Sequence, residues 1–537
     1  MAARVPDGVA RRPGLARRLR RRIPVRIRHH WKLLAVCVAF VVVLTVVFGS
    51  ARVRPYVTSG SDRGGGGVTV DLAGDRDLFD AGVAHTISLT FRDADYERML
   101  DGFFDDGEKE YVEADLTIDG VMVPSVGIRL KGNSTLSGLT RDGQTRQRTG
   151  AGGAPDGAER GGGPGRAGLA AEEPETLPWL ISFDEFVEGR RYQGHQEIAV
   201  RVGGMGGGST VLNEALALSL LDTSGERTQR YAYSSFTVND RPTTARLIVE
   251  HPDENYAEQM DATGVLYKSR STSQFTDQGD DPIDYQDDFN QINLTGSQDL
   301  QPVIDLIKWV NGASDEEFDA QLAERVDVEQ FARYVAMQNL LLNFDDMAGP
   351  GRNYYLWYDL ETRKFSVISW DHNLTFSGSA DHGPHDAGRM GGPGGMRTAP
   401  DGENQQGTPP EGFQPPEGFE LPEGAEPPAG LQRSRPPEGD QPGGGDRQGG
   451  MRAGHILKER FLASEAFTDV YENAYRELYQ ELYGSGRALA ALDEITAVLA
   501  TVDGYDAVAV TADAEQLRTL VQQRTESLRD DEVITGA

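Results

Sequence analysis

Asp345, Asp346, Asn353 and Asp371 carry the oxygen atoms that divalent-cation chemistry uses, within the stretch NFDDMAGPGRNYYLWYDLETRKFSVISWDHNLTF at 343–376. Hard oxygen ligands with a carboxylate to spare suit Mg²⁺ and phosphoryl transfer. The residues lie at both ends of a predicted β-hairpin. Segments 352–359 and 364–371 are rich in aromatic and β-branched residues, and 360–363 forms a short polar turn. Pairing Asp359 with Lys364 sets Asn353 opposite Trp370 on the partner strand. Asn353 and Asp371 then become diagonal neighbours, within roughly 7–8 Å at the backbone and able to converge on one cation. Asp345 and Asp346 sit where the chain enters the hairpin. Spacing alone fits a solvated hairpin with acidic ends equally well.

The elements that must position these groups follow from periodicity. Segments 85–91 and 111–118 alternate as strands, Asp119-Gly120 is a turn signal, and another strand follows over 121–130. A short helix is predicted over 93–100. Residues 136–176 are rich in Gly, Arg, Pro and Ala, which predicts a disordered insertion. Strand character resumes at 178–183 and 196–202. Ser209, after the flexible GGMGGG of 203–208, is the expected N-cap of a helix over 210–221. Segments 231–239 and 243–250 form a strand pair, and 264–269 is a further strand. Residues 300–342 turn helical, with Val328, Phe331, Val335 and Leu342 near one face. Residues 380–453 repeat PPEG as a solvated loop, and 454–537 is helical again. The fold class expected is α+β, a mostly antiparallel sheet plus a helical lobe, over a core of 68–378.

Charge is unevenly spread. Residues 1–32 hold ten arginines and one lysine against Asp7, about +10, so the rest is near −41 within the overall −31. So acidic a body excludes nucleic-acid binding, which needs a basic face. Residues 33–51 are uncharged as far as Gly49-Ser50-Ala51 and long enough to span a bilayer. The arginines before them predict a cytoplasmic head at 1–32 and a transmembrane signal anchor at 33–51. After a linker at 52–67, the main domain would be extracytoplasmic. A cleaved signal peptide is the alternative. The one cysteine, Cys37, lies in the apolar segment, so no intrachain disulfide is possible.

Several motifs, in order, resemble the CotH kinase-like family, named for a bacterial spore-coat protein and distantly related in fold to protein kinases. They are VGIRLKGNST (126–135), STVLNEALALSLL (209–221), YSSFTVND (233–240), LIVEHPD (247–253), GVLYKS (264–269) and, most specifically, NFDD…RNYYLWYD…KFSVISWDHNLTFSG. The resemblance spans roughly 83–378, and the C-terminal helices fit the family's tail. It implies an atypical protein-kinase-like fold that transfers the γ-phosphoryl group of ATP to protein serine with Mg²⁺ or Mn²⁺. On that resemblance Asp371 and Asn353 hold the metal, and Asp345, with Asp346 one residue away as runner-up, orients the acceptor hydroxyl. Arg129 and Lys131 are candidates for gripping the nucleotide, with Lys268 as a possible substitute and Glu250 as a lysine's partner. The family often places a base on the next strand, but here PWLISFD (178–184) has none. The alternative is a noncatalytic envelope or surface protein that keeps the fold to bind a partner or cation.

Overall fold

The computed structural model describes residues 69–133, 135–146, 168–204, 208–260, 263–386 and 454–536. The predicted head, anchor and linker, and all but the first few residues of the PPEG tract, lie outside them. Among the described residues no helix is long and apolar enough to cross a membrane. The strands are β1 (Val70–Leu72), β2 (Ala84–Phe91), β3 (Val112–Ile118), β4 (Val121–Leu130), β5 (Thr140–Arg141), β6 (Gln144–Thr145), β7 (Trp179–Ser182), β8 (Arg190–Tyr192), β9 (Glu197–Val200), β10 (Tyr231–Val238), β11 (Thr244–Glu250), β12 (Gly264–Ser269), β13 (Phe289–Gln291), β14 (Tyr354–Asp359) and β15 (Phe365–Ser369). The helices are α1 (Asp93–Asp105), α2 (Leu212–Thr223), α3 (Glu254–Glu258), α4 (Gln301–Gly312), α5 (Asp315–Gln321), α6 (Val328–Leu340), α7 (Ile456–Ala463), α8 (Glu465–Tyr479), α9 (Arg487–Leu499), α10 (Ala507–Arg529) and α11 (Glu532–Thr535).

Seven strands close a barrel in the order β10-β11-β9-β7-β4-β3-β2. Every pairing in it is antiparallel except the closing β2–β10 contact. Alternation drives it: His85, Ile87, Leu89 and Phe91 of β2, and Val112, Ala114, Leu116 and Ile118 of β3, point inward. Asp119 and Gly120, at φ 49° and 86°, make the two-residue turn that β3 and β4 require. Leu130 pairs with Trp179, and Trp179 with Val200, so β4 and β9 end at the same rim of the barrel. Lys131 and Arg201 are the next residue on each.

A separate sheet runs β13-β12-β14-β15, with both faces covered. Tyr354, Leu356, Phe365 and Val367 face the large helical core, while Leu266, Tyr355, Trp357 and Ile368 join Trp370 in a second cluster. The α6 helix starts on Asp327, whose carboxylate accepts from Gln330 N, and buries Phe331 and Val335 as expected.

Two expectations are corrected. The stretch 136–176 is packed at both ends: Leu136 and Leu139 on one side, Leu169 and Ala171 on the other, are buried in the barrel core. A few apolar residues anchor a sparse segment when each finds the same core, and only 147–167 falls outside the described residues. Ser209 does not cap α2, whose N-cap is Val211. Asp513 of α10 instead accepts from Ser209 N at 2.8 Å and Thr210 N at 2.7 Å, tying the final long helix to this turn.

Arg524 of the same helix is 1 % exposed and donates to the carbonyls of Leu340 (3.0 Å), Asn339 (2.8 Å) and His382 (2.7 Å). It joins α10 to the end of α6, just before the carboxylate-bearing loop. Arg524→Met is expected to destabilise the chain by about 2–4 kcal/mol, because several buried carbonyls lose their donor together. Urea unfolding measures it, and a change below about 0.5 kcal/mol would refute the tie.

Candidate active site

The site lies between the barrel rim and the β12–β15 sheet. The hairpin register is as the sequence predicts: Tyr354 opposes Ser369, Tyr358 opposes Phe365, and Asp359 N donates to Lys364 O at 3.0 Å. Asn353 and Asp371 therefore flank the open end of one hairpin. Asp371 leaves β15 in a left-handed conformation (φ 62°, ψ 73°), which breaks the strand alternation just as the side chain enters the site.

Asp345 is 5 % exposed and accepts from Gly351 N at 2.5 Å and Asn353 Nδ2 at 3.0 Å. The loop from Gly349 to Gly351 folds back over it. A Cβ on Gly351 would lie 2.6 Å from Asn353 Nδ2 and 2.7 Å from Asp345 Oδ2, so the loop closes only without a side chain there. Burial, with Asp371 and Asp346 nearby, pushes Asp345 up to about 7, against the Gly351 and Asn353 hydrogen bonds. A carboxylate so poised is suited to general-base work near neutral pH. Asn353 spends its amide nitrogen on Asp345, leaving its carbonyl oxygen as the atom suited to a cation.

Asp346, the neighbour, is engaged elsewhere. It forms an ion pair with Lys458 of α7 and accepts from Ala348 N at 2.8 Å. Its geometry is that of a loop brace. Glu250 is likewise not a lysine's partner. It is buried against Arg230, 3.4 Å away, with His195 at 3.6 Å, because β11 runs its end toward β1 and β8 rather than the cleft.

The basic wall is more complete than the sequence suggests. Lys131 Nζ lies 5.0 Å and Lys268 Nζ 5.3 Å from the centroid of the Trp370 ring, and Arg201 Cζ lies 6.0 Å from it. Lys131 and Arg201 come from the barrel rim, Lys268 from β12 of the other sheet. Neither lysine has an ion pair or hydrogen bond to a described residue. Burial and the nearby Lys268, Arg201 and Arg129 push Lys131 well below the ordinary lysine range. Asp371 pulls the other way without pairing directly, and amines that repel one another with no carboxylate in contact make a site for an anion. Arg129 stands beside them, over the Tyr111 ring at 5.2 Å. Lys109 Nζ holds the turn after β4 through Gly132 O (2.5 Å) and Asn133 Oδ1 (2.6 Å).

Arg201 is the base that the sequence reading missed. Its Nε donates to Glu214 Oε2 at 2.9 Å, Nη2 is 2.8 Å from Glu214 Oε1, and Nη2 also pairs with Asp371 Oδ1. Desolvation works against the charged form of Asp371, but Arg201 prevails and holds its carboxyl below the usual range. A lone glutamate inside LNEALALSLL was the available signal: a buried acid in an otherwise apolar helix needs a cation from elsewhere.

Among the described residues no group of three His, Cys, Asp or Glu side chains could hold a metal by itself. A protein site of one carboxylate and one carboxamide suits Mg²⁺, which keeps waters and uses a substrate's phosphates as ligands.

The wall gives one pH prediction. Burial pushes the Lys268 amine down to about 8, against the pull of Asp371. The lysine is therefore charged below pH 8 and neutral above it, so affinity for inorganic tripolyphosphate should fall about tenfold between pH 7 and 9. Lys268→Met should bind more weakly at pH 7 and lose most of that dependence. Calorimetric titration reads both, and an unchanged profile would remove Lys268 from the site.

Compared with known families, the model described as CotH kinase protein matches residues 167–528. The match takes in β7 to α10, including Arg201, Glu214, Lys268, Asp345, Asn353 and Asp371. Arg129 and Lys131 lie before it. A comparison with curated protein sequences finds no match.

Proposed function

This chain belongs to the CotH kinase protein family, and from that premise we propose that it is an atypical protein kinase that moves the γ-phosphoryl group of ATP to a serine hydroxyl. Asp371 and the Asn353 carbonyl would hold Mg²⁺ or Mn²⁺, which when bound neutralises charge on the phosphates and draws them into line. Lys131, Lys268 and Arg201 oppose the phosphate charge from the other side. Glu214 fixes the Arg201 fork, as a helix glutamate fixes the nucleotide lysine in protein kinases. Asp345 takes the proton of the serine hydroxyl as its oxygen bonds to the γ-phosphorus, and the bond to the bridging oxygen breaks to release ADP.

The observation that carries this reading is the placement of Lys131 and Lys268. They come from separate sheets, form no direct ion pair with a carboxylate among the described residues, and flank the Trp370 that immediately precedes Asp371. On the same reading the uncharged segment at 33–51 would anchor the chain with its main domain outside the membrane, where acceptor and ATP would be met. A second reading, a noncatalytic envelope protein, is favoured by one fact: Arg201 already occupies the Asp371 carboxylate.

The test incubates the full chain in detergent with ATP, Mg²⁺ or Mn²⁺ and a serine-rich protein acceptor. Label from the γ-phosphate appearing on serine supports the kinase. Label from the α-phosphate replaces it with nucleotidyl transfer, and no incorporation with either metal favours the noncatalytic reading.

A further inference from the structure

Arg201 is shared between two carboxylates. Its guanidinium is bidentate to Glu214 and reaches Asp371 Oδ1 with the same Nη2. Arginine keeps its charge at any physiological pH, so Asp371 faces a permanent cation supplied by the chain itself. A divalent cation seeks the same carboxylate, and like charges at contact distance repel strongly in a partly desolvated site.

We infer that Arg201 is a built-in counter-cation for Asp371, exchanged for the divalent metal when a polyphosphate arrives, so that metal and nucleotide bind cooperatively. The inference rests on the reading of Asp371 as a cation ligand. The arrangement supports such an exchange in three ways. Arg201 stands on the same wall as Lys131 and Lys268, so an anion held there adds a partner for the displaced guanidinium. Glu214 keeps hold of the other side of the fork, so the arginine leaves Asp371 without leaving the site. Its backbone is fixed on both sides: Arg201 N donates to Leu247 O at 2.8 Å, and Arg201 O accepts from Arg246 Nε at 2.7 Å. The exchange is thus a side-chain rotation and leaves the barrel rim in place. Coupling of this kind is reciprocal, so the metal must tighten nucleotide binding by the same factor.

The test titrates Mn²⁺ into the full chain, reading free Mn²⁺ by electron paramagnetic resonance, with and without a non-hydrolysable ATP analogue. The parent should bind Mn²⁺ at least about tenfold more tightly with the analogue present. Arg201→Met should tighten Mn²⁺ binding without the analogue by about tenfold and lose most of the analogue's effect. Glu214→Gln should do the opposite, because it leaves the guanidinium to Asp371 alone. Should Arg201→Met fail to fold around an unpaired Glu214, the double variant Arg201→Met/Glu214→Gln removes both charges and carries the same expectation as Arg201→Met. A merely structural ion pair would move both single variants in one direction, and that result, or no change in either, overturns the inference while parental binding with the analogue keeps the metal reading intact. No Mn²⁺ binding by the parent under either condition removes Asp371 as a ligand, and the inference falls with it.

Discussion

Asp371→Asn is expected to lower phosphoryl transfer by at least about a thousandfold, or about 4 kcal/mol of barrier, while the chain stays folded. The substitution keeps the shape of the side chain and an oxygen that Arg201 can still donate to. It removes only the charge. Since Arg201 is also held by Glu214, the guanidinium is not abandoned in the site, and the melting temperature should move little. The loss falls on the metal: a neutral amide is a poor ligand for a hard cation, so raising Mn²⁺ should recover part of the rate. Steady-state transfer at increasing Mn²⁺, with a thermal melt alongside, measures this. Retained activity at low metal would show that Asp371 is an ion-pair partner and nothing more.

Asp345→Asn is the second large effect, with turnover expected to fall by about 10²–10⁴-fold at unchanged affinity for ATP. Its carboxylate is enclosed by Gly351 and Asn353, and in the proposed reaction it serves the acceptor rather than the donor. Stability should fall only slightly, although the new amide nitrogen faces Asn353 Nδ2, which donates to the present carboxylate. Burial disfavours the charged form of Asp345, and asparagine can still accept from Gly351 N without carrying that charge. Asp346→Asn should behave in the opposite way, weakening the fold by leaving Lys458 beside a neutral amide and changing turnover less. Comparing turnover and unfolding for the two variants separates base from brace. Equal losses of rate would undo the assignment.

Much of this site was legible because hairpins are local. The aromatic alternation and the polar turn set the register of β14 and β15, and with it the neighbouring places of Asn353 and Asp371. Residue types alone could not separate Asp345 from Asp346. That choice depends on Lys458, which approaches from α7, more than a hundred residues later. Arg201 was hidden for a similar reason. Its partner Asp371 lies 170 residues away, and only the meeting of the barrel rim with the separate β12–β15 sheet brings the end of β9 beside it. Trp370 read as one more strand residue, although its neighbours make it the platform between three cations. Glu250 was misplaced because a glutamate ending a strand reveals nothing about which rim of the barrel it has reached. In 136–176 the composition suggested disorder, yet four small or aliphatic side chains were enough to seat both ends in the core.

On the proposed function one cleft holds a divalent cation on its acidic side and phosphates on its basic side. Anomalous diffraction from crystals of the chain grown with Mn²⁺ and a non-hydrolysable ATP analogue tests it most directly. A manganese peak is expected, bound by Asp371 and the Asn353 carbonyl, with the phosphates on Lys131, Lys268 and Arg201. A nucleotide bound elsewhere, or an Asp371 still paired with Arg201 and carrying no manganese while the analogue is present, would contradict it.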